Sequence, residues 1–207
     1  MKKWILALLA VVVLVTVIFF IGITGRGPKL KDFEYLRNPR IVEKPSQNML
    51  IVELKGDPAL AGKKAFTKLF NVYFNVMRGV KSYTFQGPRA RWPKDFNTPK
   101  EEWVGVYGFP LPEFINALPP QDPNDPVQVK LRTWKYGYVA EILHVGPYGE
   151  EAPTVEKLRA FITDNGYEIA GDHEEEYLKG PGMILRGNPK KYFTILRYEI
   201  KKKGAKK

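Results

Sequence analysis

Residues 138–166, YVAEILHVGPYGEEAPTVEKLRAFITDNG, contain the pattern on which the fold prediction depends. An apolar run typical of a strand leads into a Gly-Pro turn. After the turn, apolar residues recur at the spacing of one helix face, at Val155, Leu158, Phe161 and Ile162. Gly166 ends the pattern, because glycine readily takes the left-handed conformation found at helix C-termini. The stretch therefore predicts a strand followed by an amphipathic helix.

Residues 49–79, MLIVELKGDPALAGKKAFTKLFNVYFNVMRG, repeat this organisation. The apolar residues of their helix are Phe66, Leu69, Phe70, Tyr73, Phe74 and Met77. Two strand candidates follow each helix: SYTFQGPRARW and WVGVYGFPL in the first half, DHEEEYLK and YFTILRYEI in the second. The unit β-α-β-β thus occurs twice, joined by the turn-rich connector PPQDPNDP. We predict an α+β fold with an antiparallel sheet and both helices on one face.

The N-terminal segment has a different composition. The run WILALLAVVVLVTVIFFIGI, residues 4–23, carries no charge and as a helix would span about 30 Å, the thickness of a bilayer core. Because no A-x-A cleavage site follows, we predict a retained transmembrane anchor over residues 1–24 rather than a cleaved signal peptide. We therefore predict a single-pass membrane protein. Basic residues flank both ends of the span, so the positive-inside rule does not determine on which side of the membrane the domain lies.

The remaining chain is predicted to be a linker over residues 25–47 and one domain over 48–203, with repeats of about 48–118 and 128–203. The 207-residue chain has a net charge of +11, which suggests contact with anionic lipid headgroups beside the anchor. It contains no nucleic-acid-binding motif, and we predict no nucleic-acid partner. The absence of cysteine excludes disulfides, thiolate metal sites and cysteine nucleophiles.

Strand alternation assigns side chains to faces. In WVGVYGF, the face with Trp103, Tyr107 and Phe109 is predicted to form a concave aromatic wall, while Val104 and Val106 pack under a helix.

In HEEEYL, His173, Glu175 and Tyr177 share one face, and Glu174 and Glu176 share the other, where they are predicted to be solvated. The alternative is that all three glutamates lie exposed on a sheet edge, where charge discourages aggregation.

Residues 139–202 resemble the gyrase-inhibitor-like (GyrI-like) small-molecule-binding family. The resemblance is carried by AEILHVGPYGEEAPTVEKLRAFITDNGYE, HEEEYLKGP and TILRYEIKK. The family includes effector-binding domains of multidrug-responsive transcription activators. The closer likeness is to a stand-alone branch with HxGPY and HHEIYL motifs, in which some members are implicated in hydrolysing cyclopropane-bearing natural products. This chain departs from the second motif at Glu174 and Glu176.

The resemblance implies a duplicated β-α-β-β fold and a pocket lined by Glu175. The residues proposed to bind a ligand are Glu175, Tyr177, Tyr148, His144, Trp103, Tyr107 and Trp134. A carboxylate among aromatic rings favours cationic or amphipathic compounds.

Three functions stay open. The first is a small-molecule-binding module, the second is a hydrolase in which Glu175 activates water and Tyr177 assists, and the third is a protein-interaction scaffold without a ligand. We predict no cofactor and no metal, and the sequence does not predict the oligomeric state.

Overall fold

A computed structural model describes residues 28–81, 83–84, 86–94, 98–181 and 187–204. The chain divides into two units, Met1–Asp32 and Phe33–Lys207. The second unit contains the sheet and both α-helices discussed below.

The elements confirm the α+β class. A 3-10 helix, Leu30–Leu36, precedes the first strand. The two α-helices of the described residues are α1 (Pro58–Val76) and α2 (Ala152–Asp164), close to their predicted positions. The strands are β1 (Arg40–Lys44), β2 (Gln47–Lys55), β3 (Arg89–Trp92), β4 (Val104–Pro110), β5 (Lys130–Trp134), β6 (Gly137–Val145), β7 (Tyr167–Lys179) and β8 (Phe193–Lys202).

All eight strands form one antiparallel sheet in the order β1-β6-β8-β7-β3-β4-β2-β5. The order is symmetric about the β7–β3 pair, so β2-α1-β3-β4 corresponds to β6-α2-β7-β8. The edge strands are exchanged between the halves, since β1 pairs with β6 and β5 pairs with β2. Strand β1 lies within the predicted linker, and β5 has no counterpart among the predicted strands.

The sheet is strongly curled. Only two residues connect β1 to β2, so Lys44 and Gln47 are at most about 11 Å apart. In a flat sheet, six strand spacings would separate these strands by about 29 Å. Side chains of β2 and β6 accordingly share a buried cluster that includes Met49, Ile51 and Val139. We call the surface that carries this cluster the concave face.

Both helices pack on the opposite surface, which we call the helix face. Opposed residues of an antiparallel pair point to the same side of the sheet. One such row crosses six strands through Val52, Tyr107, Ala90, Glu175, Leu196 and Ile142. Helix α1 packs Ala65 and Leu69 against the β2–β4 end of this row, and α2 packs Leu158 against the β8–β6 end. Glu175 lies between these two ends.

The face assignment in β4 was wrong. Tyr107 and Phe109 are buried beneath α1, whereas Val106 belongs to the cluster on the concave face. The ring of Tyr107 fits because Gly62 and Gly105 leave room for it. A Cβ added at Gly105 would lie 2.5 Å from Tyr107 Cζ.

The prediction of a single-pass membrane localisation is corrected. Across the part of the chain that the structure describes, no helix is both long enough and apolar enough to cross a bilayer. The span predicted over residues 4–23 lies outside the described residues.

Candidate functional site

Strand β7 is central in the sheet. It pairs with β8 on one side and with β3 on the other, with Glu175 opposite Leu196 and Ala90. The three consecutive glutamates therefore do not lie on a sheet edge, and that alternative is wrong. Alternation instead sends Glu174 and Glu176 to the concave face and Glu175 to the helix face.

On the concave face, Glu174 is buried and fully partnered. It accepts hydrogen bonds from Arg197 Nη1 at 2.6 Å, Arg91 Nε at 2.8 Å and the Tyr136 hydroxyl at 3.0 Å. Glu176 pairs with Arg197 at 3.1 Å and lies 3.4 Å from Arg89. The prediction that these glutamates are solvated was wrong, because the curl of the sheet encloses the concave face.

These ion pairs belong to a ladder of alternating charge across five strands. The opposed residues, in strand order, are Arg91, Glu174, Arg197, Glu141 and Arg40. Burial alone would raise the pKa of Glu174, but the charges of Arg197 and Arg91 outweigh it and lower the pKa below 4.5. The ladder keeps this face ionised and contributes to folding rather than leaving a carboxylate open to a ligand.

On the helix face, Glu175 meets a second buried carboxylate. His173, two residues earlier on β7, directs Nε2 towards both acids. Its Nε2 lies 3.6 Å from Glu175 Oε1 and 3.9 Å from Glu151 Oε1. All three residues are at most 8% exposed.

Glu151 reaches this cluster from the start of α2. It occupies the N-cap position, yet its side chain makes no capping hydrogen bond to the helix. Its Oε2 is buried without a hydrogen-bond partner among the described residues. The GPYGE turn before α2 thus directs a carboxylate into the protein interior.

No lysine or arginine among the described residues forms an ion pair with Glu151 or Glu175, in contrast to the acids of the concave face. Burial and the charge of Glu175 together raise the pKa of Glu151 to about 9. Two neighbouring carboxyl groups that are buried without a lysine or arginine partner destabilise a fold. Groups with such shifted pKa values are concentrated at functional sites.

Aromatic rings surround Glu175. The Tyr177 hydroxyl is hydrogen-bonded to Glu175, and burial followed by the charge of Glu175 raises the pKa of Tyr177 well above 10. The ring of Tyr148 lies 5.3 Å from that of Tyr177, and Phe66 of α1 lies 6.0 Å from it on another side. The same two causes raise the pKa of Tyr107 and Tyr148. The structure therefore brings Glu175, Tyr177, Tyr148 and Tyr107 together.

The other residues predicted for the site lie elsewhere. Trp103 packs on Trp92, with the ring centroids 5.4 Å apart. Trp134 is on the concave face, with the Arg91 guanidinium 4.1 Å above its ring.

His144 is held within the turn before α2. Its Nδ1 lies 3.0 Å from Thr154 Oγ1 and its Nε2 lies 3.2 Å from the Pro147 carbonyl oxygen. These contacts assign it to the support of the GPYGE turn.

Sequence reasoning missed Glu151 as a site residue. An acidic residue at the start of a helix is ordinarily explained by a favourable interaction with the helix dipole, so its position alone does not mark it as a site residue. The available signal was the acidic residue of the HxGPY-x-x-E segment, together with the fact that glutamate is not among the preferred N-cap residues.

Comparison with solved structures places the fold among known proteins. An uncharacterized conserved protein from Listeria innocua is 23% identical with a TM-score of 0.66, covering 80% of this chain and 93% of that one. A hydrolase from Listeria innocua is 24% identical with a TM-score of 0.63, covering 80% and 92%. The EcmrR C-terminal domain is 12% identical with a TM-score of 0.57, covering 80% and 98%. No protein-family model and no curated protein matches the chain.

These similarities are at the level of fold. What they share with this chain is an α+β fold.

Proposed function

We propose that this protein binds small amphipathic or cationic molecules between its two helices, with Glu175 as the anionic contact. The proposal is carried by one observation: neighbouring glutamates on β7 have different ion-pair partners. Glu174 is paired with arginines on the concave face, whereas Glu175 is buried on the helix face beside His173, with no lysine or arginine partner among the described residues.

The surroundings of Glu175 suit a flat or aromatic cation. A cation seated against an aromatic face gains about 0.5 to 2 kcal/mol, and Tyr177, Tyr148 and Tyr107 supply such faces. Glu175 is only 5% exposed, so a ligand reaches it by displacing side chains that cover it. Tyr148 is partly exposed and packs against Tyr192 at 5.6 Å, and we propose that its side chain moves to admit the ligand.

A second candidate function, hydrolysis of an electrophilic small molecule, is favoured by the hydrogen bond between Tyr177 and Glu175. This pair places a carboxylate that can activate water beside a hydroxyl that can stabilise developing negative charge. Glu151 adds a second carboxyl group close to the Glu175 carboxylate.

Ligand binding is tested with the purified full-length protein and a panel of cationic aromatic compounds. Thermal-shift measurements select the compounds, and calorimetry measures their affinity. Glu175→Gln keeps the side-chain shape but removes the charge, and we expect a loss of about 1 to 3 kcal/mol, the range for a charged hydrogen bond. For a hydrolase substrate, the same change lowers turnover about 10²- to 10⁴-fold with a smaller effect on binding.

The matched control is Asp172→Asn, which removes the same charge from an exposed position on β7. Glu176→Gln does not serve as a surface control, because Glu176 pairs with the buried Arg197 of the ion-pair ladder. Equal losses in Glu175→Gln and Asp172→Asn would show that the effect is general electrostatic attraction and not a site. A panel without a single binder would favour the scaffold function instead.

A further inference from the structure

We propose that Glu151, His173 and Glu175 form a binding site for a divalent transition metal of the Zn²⁺ type. One ligand atom from each residue can be chosen so that all three lie within 4.8 Å of one another. They come from two elements, β7 and the start of α2, that meet on the helix face. The inference does not depend on the small-molecule function proposed above.

The spacing favours shared coordination over hydrogen bonding. The separations of 3.6 and 3.9 Å from His173 Nε2 to the two carboxylates exceed the usual 2.7–3.2 Å of a hydrogen bond. Two ligands about 2.0–2.2 Å from a tetrahedral zinc ion lie roughly 3.4 Å from each other. Shifts of a few tenths of an ångström would bring His173 Nε2 to this spacing from each carboxylate, and the two carboxylates can offer oxygens within 4.8 Å of each other.

The charges also match. Two carboxylates and a neutral imidazole neutralise a divalent cation, which is what a buried site requires. The described residues place no lysine or arginine in an ion pair with either acid, so no fixed positive charge of that kind competes for them.

Glu151 supplies the independent indication of a ligand. It is 8% exposed, and its Oε2 has no hydrogen-bond partner within the described residues. A carboxylate that leaves the helix N-cap unused and ends unsatisfied beside His173 is accounted for by an ion between them.

The donor set selects the class of metal. An imidazole nitrogen suits zinc, iron, nickel and copper, whereas an all-oxygen set would favour magnesium or calcium. Three protein ligands leave a further position for water or a ligand atom, the arrangement of catalytic rather than structural zinc sites.

The test uses full-length protein stripped of metal with a chelator and then titrated with Zn²⁺ alone by calorimetry. We expect one saturable site per chain. Glu151→Gln, Glu175→Gln and His173→Gln should each weaken binding at least about tenfold, since changes that only misorient a ligand already cost about 10- to 100-fold. Co²⁺ provides a second readout, because its visible absorption reports low coordination number, and the chain has no cysteine to contribute.

Glu150→Gln and Asp172→Asn are the controls, as exposed acids next to the proposed ligands. The proposal is overturned if metal-free protein shows no saturable Zn²⁺ binding, or if the three ligand variants bind as tightly as the controls. Circular dichroism and the wild-type titration keep the test decisive if one variant fails to fold.

Organic-ligand binding is measured separately with chelator present. If Zn²⁺ does not bind but an organic ligand does, only the metal proposal is refuted. If Zn²⁺ binds but no organic ligand does, only the small-molecule proposal is refuted.

Discussion

Adjacent glutamates on β7 should respond in opposite ways to the same substitution. Glu174→Gln and Glu175→Gln each remove one negative charge at neighbouring positions that are both at most 5% exposed. Glutamine can still accept a hydrogen bond from Tyr177 at position 175. At position 174 its amide group meets the guanidinium groups of Arg91 and Arg197, which need an anion.

The magnitude follows from what each change leaves behind. Removing one partner of a buried ion pair costs about 3 to 5 kcal/mol, because the other charge stays buried and uncompensated. Glu174→Gln should therefore lower the free energy of unfolding by about that amount. For a chain of this size this corresponds to a fall in Tm of about 6 to 20 °C. Glu175→Gln leaves no buried arginine behind, and we expect a loss below about 1 kcal/mol or a gain in stability.

The assay is urea unfolding of the full-length protein followed by circular dichroism, with Asp172→Asn as the exposed control from the same strand. If Glu174→Gln destabilises the protein and Glu175→Gln does not, the assignment of the two glutamates to opposite faces is supported. Equal destabilisation by both variants would refute it, because Glu175 would then have a structural partner equivalent to Arg197.

Two further predictions concern the packing of Tyr107 and the ion-pair ladder. Gly105→Ala should cost about 1 to 3 kcal/mol by urea unfolding, because the added methyl would lie 2.5 Å from Tyr107 Cζ, whereas Gly149→Ala, with nothing within 4 Å, should cost less. Burial raises the pKa of Glu141, but Arg197 and Arg40 outweigh it and lower the pKa below 4.5. The stability from Glu141 is then fully present above about pH 5 and is lost as the pH falls through the lowered value, by up to about 1.4 kcal/mol per pH unit. An Arg40→Gln variant should lose less stability than wild type between pH 5 and pH 3, and a loss as large as that of wild type would contradict the role given to Arg40.

The sequence predicts helices well because both carry strong periodic patterns. It does not predict how β1 and β5 pair, because their pairing depends on the exchange of edge strands between the halves. Arg40–Lys44 has no apolar alternation to mark it as a strand, and its burial pattern in the sheet is largely intermediate to exposed. Contacts between distant segments, not local preference, determine these strands.

Alternation also separated Glu175 from Glu174 and Glu176 correctly, but it could not say which face is buried. A face with two glutamates looks solvent-exposed when the strand is considered alone. The curl of the sheet encloses that face, and arginines from β3 and β8 make burial tolerable there. The partners Arg91 and Arg197 are distant in sequence, so nothing local to HEEEYL reveals them.

The two halves share a fold, but their central strands differ in charge, and this difference determines the surroundings of Glu175. Across the β3–β7 pair, Arg89 faces Glu176 and Arg91 faces Glu174. If β3 carried glutamates as β7 does, like charges would lie opposite each other, which destabilises a sheet. Between these two pairs, Ala90 faces Glu175, and a methyl group leaves the carboxylate without a charged neighbour on that strand. Arginine, alanine and arginine in one repeat thus stabilise the fold on the concave face while leaving Glu175 without an arginine partner from β3 on the helix face. Ala90→Arg tests this reasoning: it should supply a partner for Glu175 and weaken a cationic ligand or Zn²⁺ as much as Glu175→Gln does.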